Sequence, residues 1–146
     1  MWSPAPAAVV PVPWQHRRMD ALTARRTLAQ LRLAVGIGAL VAPRVTGKLF
    51  GIDSDANPAA PYLARLFGAR ELFMAAPFLM PAPGLDEAEL ASRAVPVDAA
   101  DTAAALLAGL RGYLPWRAAI PAAATAAAAT WLGSQAAQNE KLVRPT

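Results

Sequence analysis

The sequence predicts an all-α protein: an antiparallel four-helix transmembrane bundle with a short interfacial helix after the first long helix. Apolar stretches of helical length alternate with loops rich in proline, glycine and acidic residues. One segment, residues 118–139, is uncharged and long enough to cross a bilayer. Six charges interrupt the other stretches, and because three are basic and three acidic the set can neutralise itself. They are Arg32, Arg65, Arg70, Glu71, Asp98 and Asp101.

The composition favours a membrane protein and excludes several kinds of site. Hydrophobic residues make up 55% of the chain and charged residues 16%, against about 45–50% and about 25% in soluble proteins. The absence of cysteine excludes disulfides, thiol catalysis, iron–sulfur clusters and cysteine-bound zinc. The single histidine, His16, lies in the N-terminal stretch. We therefore expect no cofactor, no metal and a non-enzymatic role.

The two ends of the chain are expected to lie outside the bundle. Residues 1–21 form a disordered tail in this prediction, because their prolines prevent a helix. Met19 is an alternative start, in which case the residues before it are an upstream extension. Residues 138–146 are a polar tail, which leaves residues 22–137 as the four-helix membrane domain.

The first half of the domain is expected to hold two long helices and one short one. The first long helix begins near Thr23 and ends before Pro43. Its small residues let a neighbouring backbone come close, and they are Gly36, Gly38 and Ala42, the last two in small-xxx-small spacing. Residues 44–50 form a short amphipathic helix at the interface. The second long helix covers about residues 62–80, with Pro77 as a kink or an end.

The second half is expected to hold the other two long helices. An acidic loop, residues 81–91, precedes a third long helix that begins at Ser92 or Pro96 and ends at Leu110. The fourth covers residues 118–137 and is mostly alanine, which favours close packing.

Lysine and arginine outside the spans predict the orientation. One side of the bundle carries seven and the other four, so we expect a multi-pass protein of the cell membrane with both termini in the cytoplasm. The seven are Arg17, Arg18, Arg25, Arg26, Arg93, Lys141 and Arg144, and the four are Arg44, Lys48, Arg111 and Arg117. The net charge of +4 therefore indicates contact with anionic lipid. No basic face is interleaved with aromatics, so no nucleic acid is expected. The bilayer is the expected partner, with another membrane protein or a second copy of the chain as further candidates.

The spacing of the six charges predicts how they pair. Asp98 and Asp101 are three residues apart and therefore share a helix face. Arg70 and Glu71 are adjacent and diverge by about 100°. We expect Arg70 to pair with Asp98 or Asp101, and Glu71 to pair with Arg32 or Arg65.

Three interpretations of this set remain open from the sequence. The pairs are internal ties that fix the helix register, or they line a polar chamber for an ion, a proton or a small polar ligand. In the third, some of them lie near the interface and reach water, with Arg32 and Arg65 as candidates.

Two segments, LRLAVGIGALVAPRVTGKLFGID (31–53) and YLARLFGARELFMAAP (62–77), carry a resemblance. They resemble small actinobacterial membrane proteins of unknown function that are loosely similar to the DoxX-like four-helix families. The shared features are Arg32, Ala42-Pro43-Arg44, Gly51, Gly68-Ala69-Arg70-Glu71 and an acidic residue, Asp98 or Asp101, early in the third long helix. The resemblance implies four transmembrane helices and no established activity.

Together these observations predict a non-enzymatic integral membrane protein with a buried ion-pair cluster. Its role is that of an accessory or structural membrane component, or of a protein that handles a small solute or a proton. One alternative, implied by the resemblance, is a DoxX-like accessory subunit of a membrane oxidoreductase. The other is a soluble, alanine-rich helical interaction module.

Overall fold

A computed structural model describes residues 19–138, which contain five α-helices and no strand. The helices are α1 (Ala21–Val41), α2 (Pro43–Leu49), α3 (Ala60–Leu79), α4 (Glu87–Leu110) and α5 (Trp116–Ala136). The predicted all-α class and the short second helix are confirmed. Most of the expected N-terminal tail and nearly all of the C-terminal tail lie outside the described residues.

The long helices form two pairs. α3 packs along α1 in the opposite direction, and α5 packs in the same way along α4. The pairs are joined by α1 and α5, where Leu28 packs with Ala129 and Leu132. α2 covers one end of the α1–α3 pair, whereas α3 and α4 hardly touch. The bundle is therefore closed on the α1–α5 side and loosely packed on the α3–α4 side.

Two aspartates determine where helices begin. The side chain of Asp20 accepts hydrogen bonds from the Thr23 N–H and hydroxyl, each 2.8 Å long, and these bonds lower the pKa of Asp20. Asp86 accepts from the N–H groups of Ala88 and Glu89. α4 consequently begins at Glu87, and the predicted start at Ser92 or Pro96 is wrong. Capping and the acidic first turn outweigh the cost of a proline inside the helix.

Two glycines let α1 and α3 pack closely together. A Cβ added to Gly68 would lie 2.7 Å from the Gly36 carbonyl oxygen and 2.9 Å from the Ala39 Cβ, so α1 and α3 approach backbone to backbone. Gly38, which the sequence singled out, instead faces Thr46 of α2. The close approach expected at Gly36 is therefore present, whereas Gly38 packs against α2 and not against a second long helix.

Small residues fill the interior of the bundle and many large apolar side chains lie on its surface, which is the reverse of a water-soluble protein. Nearly all of the buried hydrophobic residues are alanines, with Leu28 and Leu132 as exceptions. Large apolar side chains lie outside instead: Phe73 of α3 is 82% exposed and Val41 of α1 is 78% exposed. Within residues 19–138, no helix combines the length and the apolarity that a membrane-crossing segment needs.

Candidate functional site

Arg32 of α1 lies at the centre of a buried ion-pair cluster. Its side chain is 1% exposed. Nη1 donates to Glu71 Oε2 of α3 at 2.7 Å, and Nη2 donates to Asp98 Oδ2 of α4 at 2.6 Å. Both carboxylates are buried as well. A single guanidinium therefore connects three helices in a place where an unpaired charge would be very costly.

A second pair extends the cluster towards the surface. Arg70 Nη1 donates to Asp101 Oδ2 at 2.8 Å and lies 3.5 Å from Glu71 Oε1. Its guanidinium also lies over the Phe67 ring, 5.6 Å from the centroid. The side chains of Arg70 and Asp101 are each about one-third exposed. Glu71 is shared by both arginines, so all five charged groups form one continuous network.

Arg65 is not part of this network. It is exposed at the α2 end of the bundle, where its Nε donates to the Leu40 carbonyl at 3.4 Å. Six residues separate it from Glu71, which turns the two side chains about 120° apart around the helix. Of the pairings expected from the sequence, the structure contains Arg70 with Asp101 and Glu71 with Arg32. The interpretation of Arg32 as a water-reaching charge is wrong, because that side chain is buried.

Without Arg65 the cluster is not neutral. Two guanidiniums and three carboxylates give it a formal net charge of −1. The even balance expected from six residues therefore does not hold for the five that meet. The excess carboxylate gives the site an attraction for a proton, a cation or a hydrogen-bond donor.

A chamber of about 470 Å³ lies next to the cluster. Its floor is formed by Arg32, Glu71 and Asp98, and its roof by α2 and residues 50–57. Alanines of α3, α4 and α5 supply much of the wall. Leu63 and Phe67 line the chamber and are also exposed, so it opens between α3 and α4. We call this opening the α3–α4 seam.

Two residues that line the chamber each have a buried polar atom with no hydrogen-bond partner among residues 19–138. One is Arg32 Nε at the floor, and the other is Ser54 Oγ at the roof. Such atoms are rare in folded proteins, since each costs about 1–3 kcal/mol. They mark the two ends of the chamber as places where a further group can bind. The sequence did not single out Ser54, because nothing in the loop composition predicts its burial.

A third ion pair between the two helix pairs was not predicted from the sequence. Arg25 of α1 lies 3.6 Å from Glu87 of α4, and its Nε donates to the Ala136 carbonyl at 3.1 Å. Arg25 was interpreted from the sequence only as a membrane-flanking charge. The signal that would have revealed the pair is Asp86, which places Glu87 in the first turn of α4.

The threonine hydroxyls of α4 and α5 are engaged by the backbone. The hydroxyls of Thr102, Thr125 and Thr130 each donate to the backbone carbonyl four residues earlier, so they are not poised as nucleophiles. In the part of the chain that the structure describes, no group of three or more metal-binding side chains is arranged to hold an ion.

Comparison of the chain with protein-family models, with curated proteins and with solved structures found no match. The functional interpretation therefore rests on the geometry of the cluster, the chamber and the outer surface.

Proposed function

We propose that the chain is a non-enzymatic integral membrane protein, an accessory component in which the ion-pair cluster ties the helices together. The observation that carries this proposal is the inverted distribution of residue size. Large apolar side chains such as Phe73 point outwards, whereas alanines and paired charges fill the interior. Lipid solvates large apolar groups, and close helix packing in a bilayer uses small residues. Both requirements agree with this distribution.

The dimensions of the bundle support the same proposal. The four long helices hold 20–24 residues, which corresponds to about 30–36 Å at about 1.5 Å per residue. The hydrocarbon core of a bilayer is about 30 Å thick. Exposed tyrosine and tryptophan side chains lie towards both ends, with Tyr62, Tyr113 and Trp116 at the α2 end and Trp131 towards the other. Such rings are enriched where a membrane meets water.

The charged residues are compatible with a bilayer because of where they point. Arg32, Glu71 and Asp98 lower the mean hydropathy of their helices, yet they are buried against one another. The surface that these helices present outwards is therefore more apolar than their whole sequences. Charges at membrane depth are expected to face the bundle interior and to pair.

A charge placed on the outer face tests the proposal. Phe73→Lys puts an ammonium near the middle of α3, where insertion into a bilayer costs about 2.5–3.5 kcal/mol. Met80→Lys is the matched control, because Met80 is also exposed but lies just past the helix end, where a lysine reaches water. We expect Phe73→Lys to reduce the carbonate-resistant membrane fraction several-fold and Met80→Lys to leave it unchanged.

Two results would contradict the membrane proposal. A wild-type chain that remains in the high-speed supernatant without detergent would support the soluble interaction module and overturn the membrane proposal. Equal fractionation of Phe73→Lys and Met80→Lys would show that Phe73 does not lie at membrane depth and would remove the observation that carries the proposal, since a water-exposed lysine has no insertion cost.

Handling of a small solute or a proton is the second candidate function. It is favoured by a chamber that ends at a cluster with a net negative formal charge. Proton or cation flux into liposomes is the assay, with Asp98→Asn as the test variant and Asp101→Asn as its less buried counterpart. Transport predicts that Asp98→Asn lowers the flux at least tenfold. Flux equal to that of protein-free liposomes would exclude this candidate and leave the accessory role.

A further inference from the structure

We infer that the chamber is a binding site for a long-chain amphiphile whose uncharged head both accepts and donates hydrogen bonds, as a fatty primary amide or a fatty alcohol does. The inference goes beyond the proposed function and does not depend on it. It needs only the chamber, its floor and its opening, whatever solvates the outer surface of the bundle.

The shape of the chamber indicates a ligand with a long apolar body. Its volume of about 470 Å³ falls within the range of about 300–1,000 Å³ that is usual for small-molecule sites. Along α3 the lining extends from Glu71 to Ala60, which corresponds to about 16 Å of helix. The wall between these ends is mainly alanine, leucine, valine and phenylalanine. An alkyl chain fills such a space, whereas a compact polar solute leaves most of the wall without a partner.

The floor determines the chemistry of the head group. Arg32 Nε is a buried donor without a partner, so the head must supply an acceptor. The formal charge of −1 at the floor repels a carboxylate or a phosphate head. An ammonium head has no acceptor to offer Arg32 and would lie against a guanidinium. An uncharged head that accepts from Arg32 and donates to Glu71 or Asp98 fits all of these groups.

The α3–α4 seam provides the route of entry. Leu63 and Phe67 on one side and Ala104 on the other line the chamber and are exposed. The two helices hardly touch along this side. An amphiphile can therefore enter sideways with its head leading towards the floor, without passing α2.

Photo-crosslinking tests the inference directly. Full-length protein is kept in detergent-free lipid nanodiscs if it is recovered with the membrane, or in buffer if it is recovered in the supernatant. It is incubated with dodecanamide that carries a diazirine in its chain, irradiated and analysed by peptide mass spectrometry. We expect adducts on chamber-lining residues, among them Leu63, Thr125 and Ala126. Excess dodecanamide should suppress these adducts at least tenfold, whereas dodecanoate, dodecylamine and acetamide at the same concentration should reduce them less than twofold.

Two neighbouring alanines of α5 provide matched variants. Ala126 lines the chamber, whereas Ala127 is exposed on the outside. Ala126→Phe should lower chamber labelling at least tenfold, and Ala127→Phe should leave it unchanged. Ala105→Phe and Ala103→Phe repeat the comparison on α4, because Ala105 lines the chamber and Ala103 is exposed outside it. Far-UV circular dichroism verifies that each variant is folded, and the competition experiments use the wild-type protein alone.

Several outcomes would overturn the inference. Adducts confined to outward-facing residues such as Phe73 would show that the probe binds the outer surface and not the chamber. Equal competition by dodecanoate or dodecylamine would refute the uncharged head, and equal competition by acetamide would refute the apolar body. Unchanged labelling in a folded Ala126→Phe protein would show that the chamber is not the site.

Discussion

Replacement of Arg32 by methionine is the sharpest test of the ion-pair cluster. Methionine keeps much of the length of the arginine side chain and removes the guanidinium that connects α1 to α3 and α4. The carboxylates of Glu71 and Asp98 lose bonds of 2.7 Å and 2.6 Å, respectively. Glu71 retains only the longer contact to Arg70, at 3.5 Å. Asp98 is left with no ion pair in residues 19–138.

The expected magnitude follows from burial. Removal of one partner from a buried ion pair costs about 3–5 kcal/mol, because the remaining charge stays desolvated and uncompensated. Here one deletion strands two carboxylates, and their side chains are only 8% and 4% exposed. We therefore expect Arg32→Met to lower the free energy of unfolding by at least the upper part of that range. This loss is a large fraction of a typical total stability of about 5–15 kcal/mol.

A combined variant separates the cost of desolvation from the benefit of pairing. Arg32→Met with Glu71→Met and Asp98→Val removes all three buried charges and fills most of their volume. Because such replacements are often neutral or stabilising, we expect the triple variant to lie within about 2 kcal/mol of the wild type. Unfolding followed by circular dichroism, in the medium in which the protein is purified, provides the comparison. A loss below about 1 kcal/mol for Arg32→Met would refute burial of the cluster. A triple variant no more stable than Arg32→Met would refute the argument from desolvation.

Three further predictions concern other parts of the bundle. Gly68→Ala should destabilise the bundle by about 1–3 kcal/mol in the same unfolding assay, because the added Cβ meets the backbone of α1. Gly38→Ala should be tolerated within about 1 kcal/mol, because the higher helix propensity of alanine offsets the one close contact with the Thr46 side chain. Asp98→Ala should cost about 3–5 kcal/mol and Asp101→Ala about 0–1 kcal/mol, and equal losses would contradict the difference in burial. The pKa of Asp20 is lowered from 3.8, so the ionised Asp20 cap stabilises α1 above that pH, and this stabilisation is lost as the pH falls through the folded-state pKa. In a series of unfolding midpoints measured at different pH values, Asp20→Asn should remove this pH-dependent stabilisation.

The sequence predicted the helices well because their signals are local. Apolar stretches separated by proline and glycine predicted four long helices and a short one at residues 44–50, which the structure places at residues 43–49. The start of α4 was missed because the acidic residues before Ser92 were interpreted as a loop, although Asp86 followed by Glu87 and Glu89 is also a capping signal. Composition alone does not distinguish an acidic loop from the capped first turn of a helix.

The cluster was only partly predictable, because its partners lie on different helices. Spacing showed that Asp98 and Asp101 share a face, but not that each would bind a different arginine. The exclusion of Arg65 and the chamber beside Arg32 depend on how the helix pairs are placed, which no local pattern encodes. The resemblance to DoxX-like proteins stays a prediction.

The ion pairs and the chamber are consequences of the same packing. Alanine surfaces let helices approach closely, but they offer few shapes that fix how one helix pair sits against another. In this bundle α4 makes extensive contacts only with α5. Its links to α1 and α3 include Arg32 with Asp98, Arg70 with Asp101 and Arg25 with Glu87. Directional charge pairs therefore replace side-chain interlocking between α4 and the α1–α3 pair. Because these links hold the pairs together without filling the space between them, the chamber persists beside the cluster, and any variant that weakens the cluster should also change what the chamber admits.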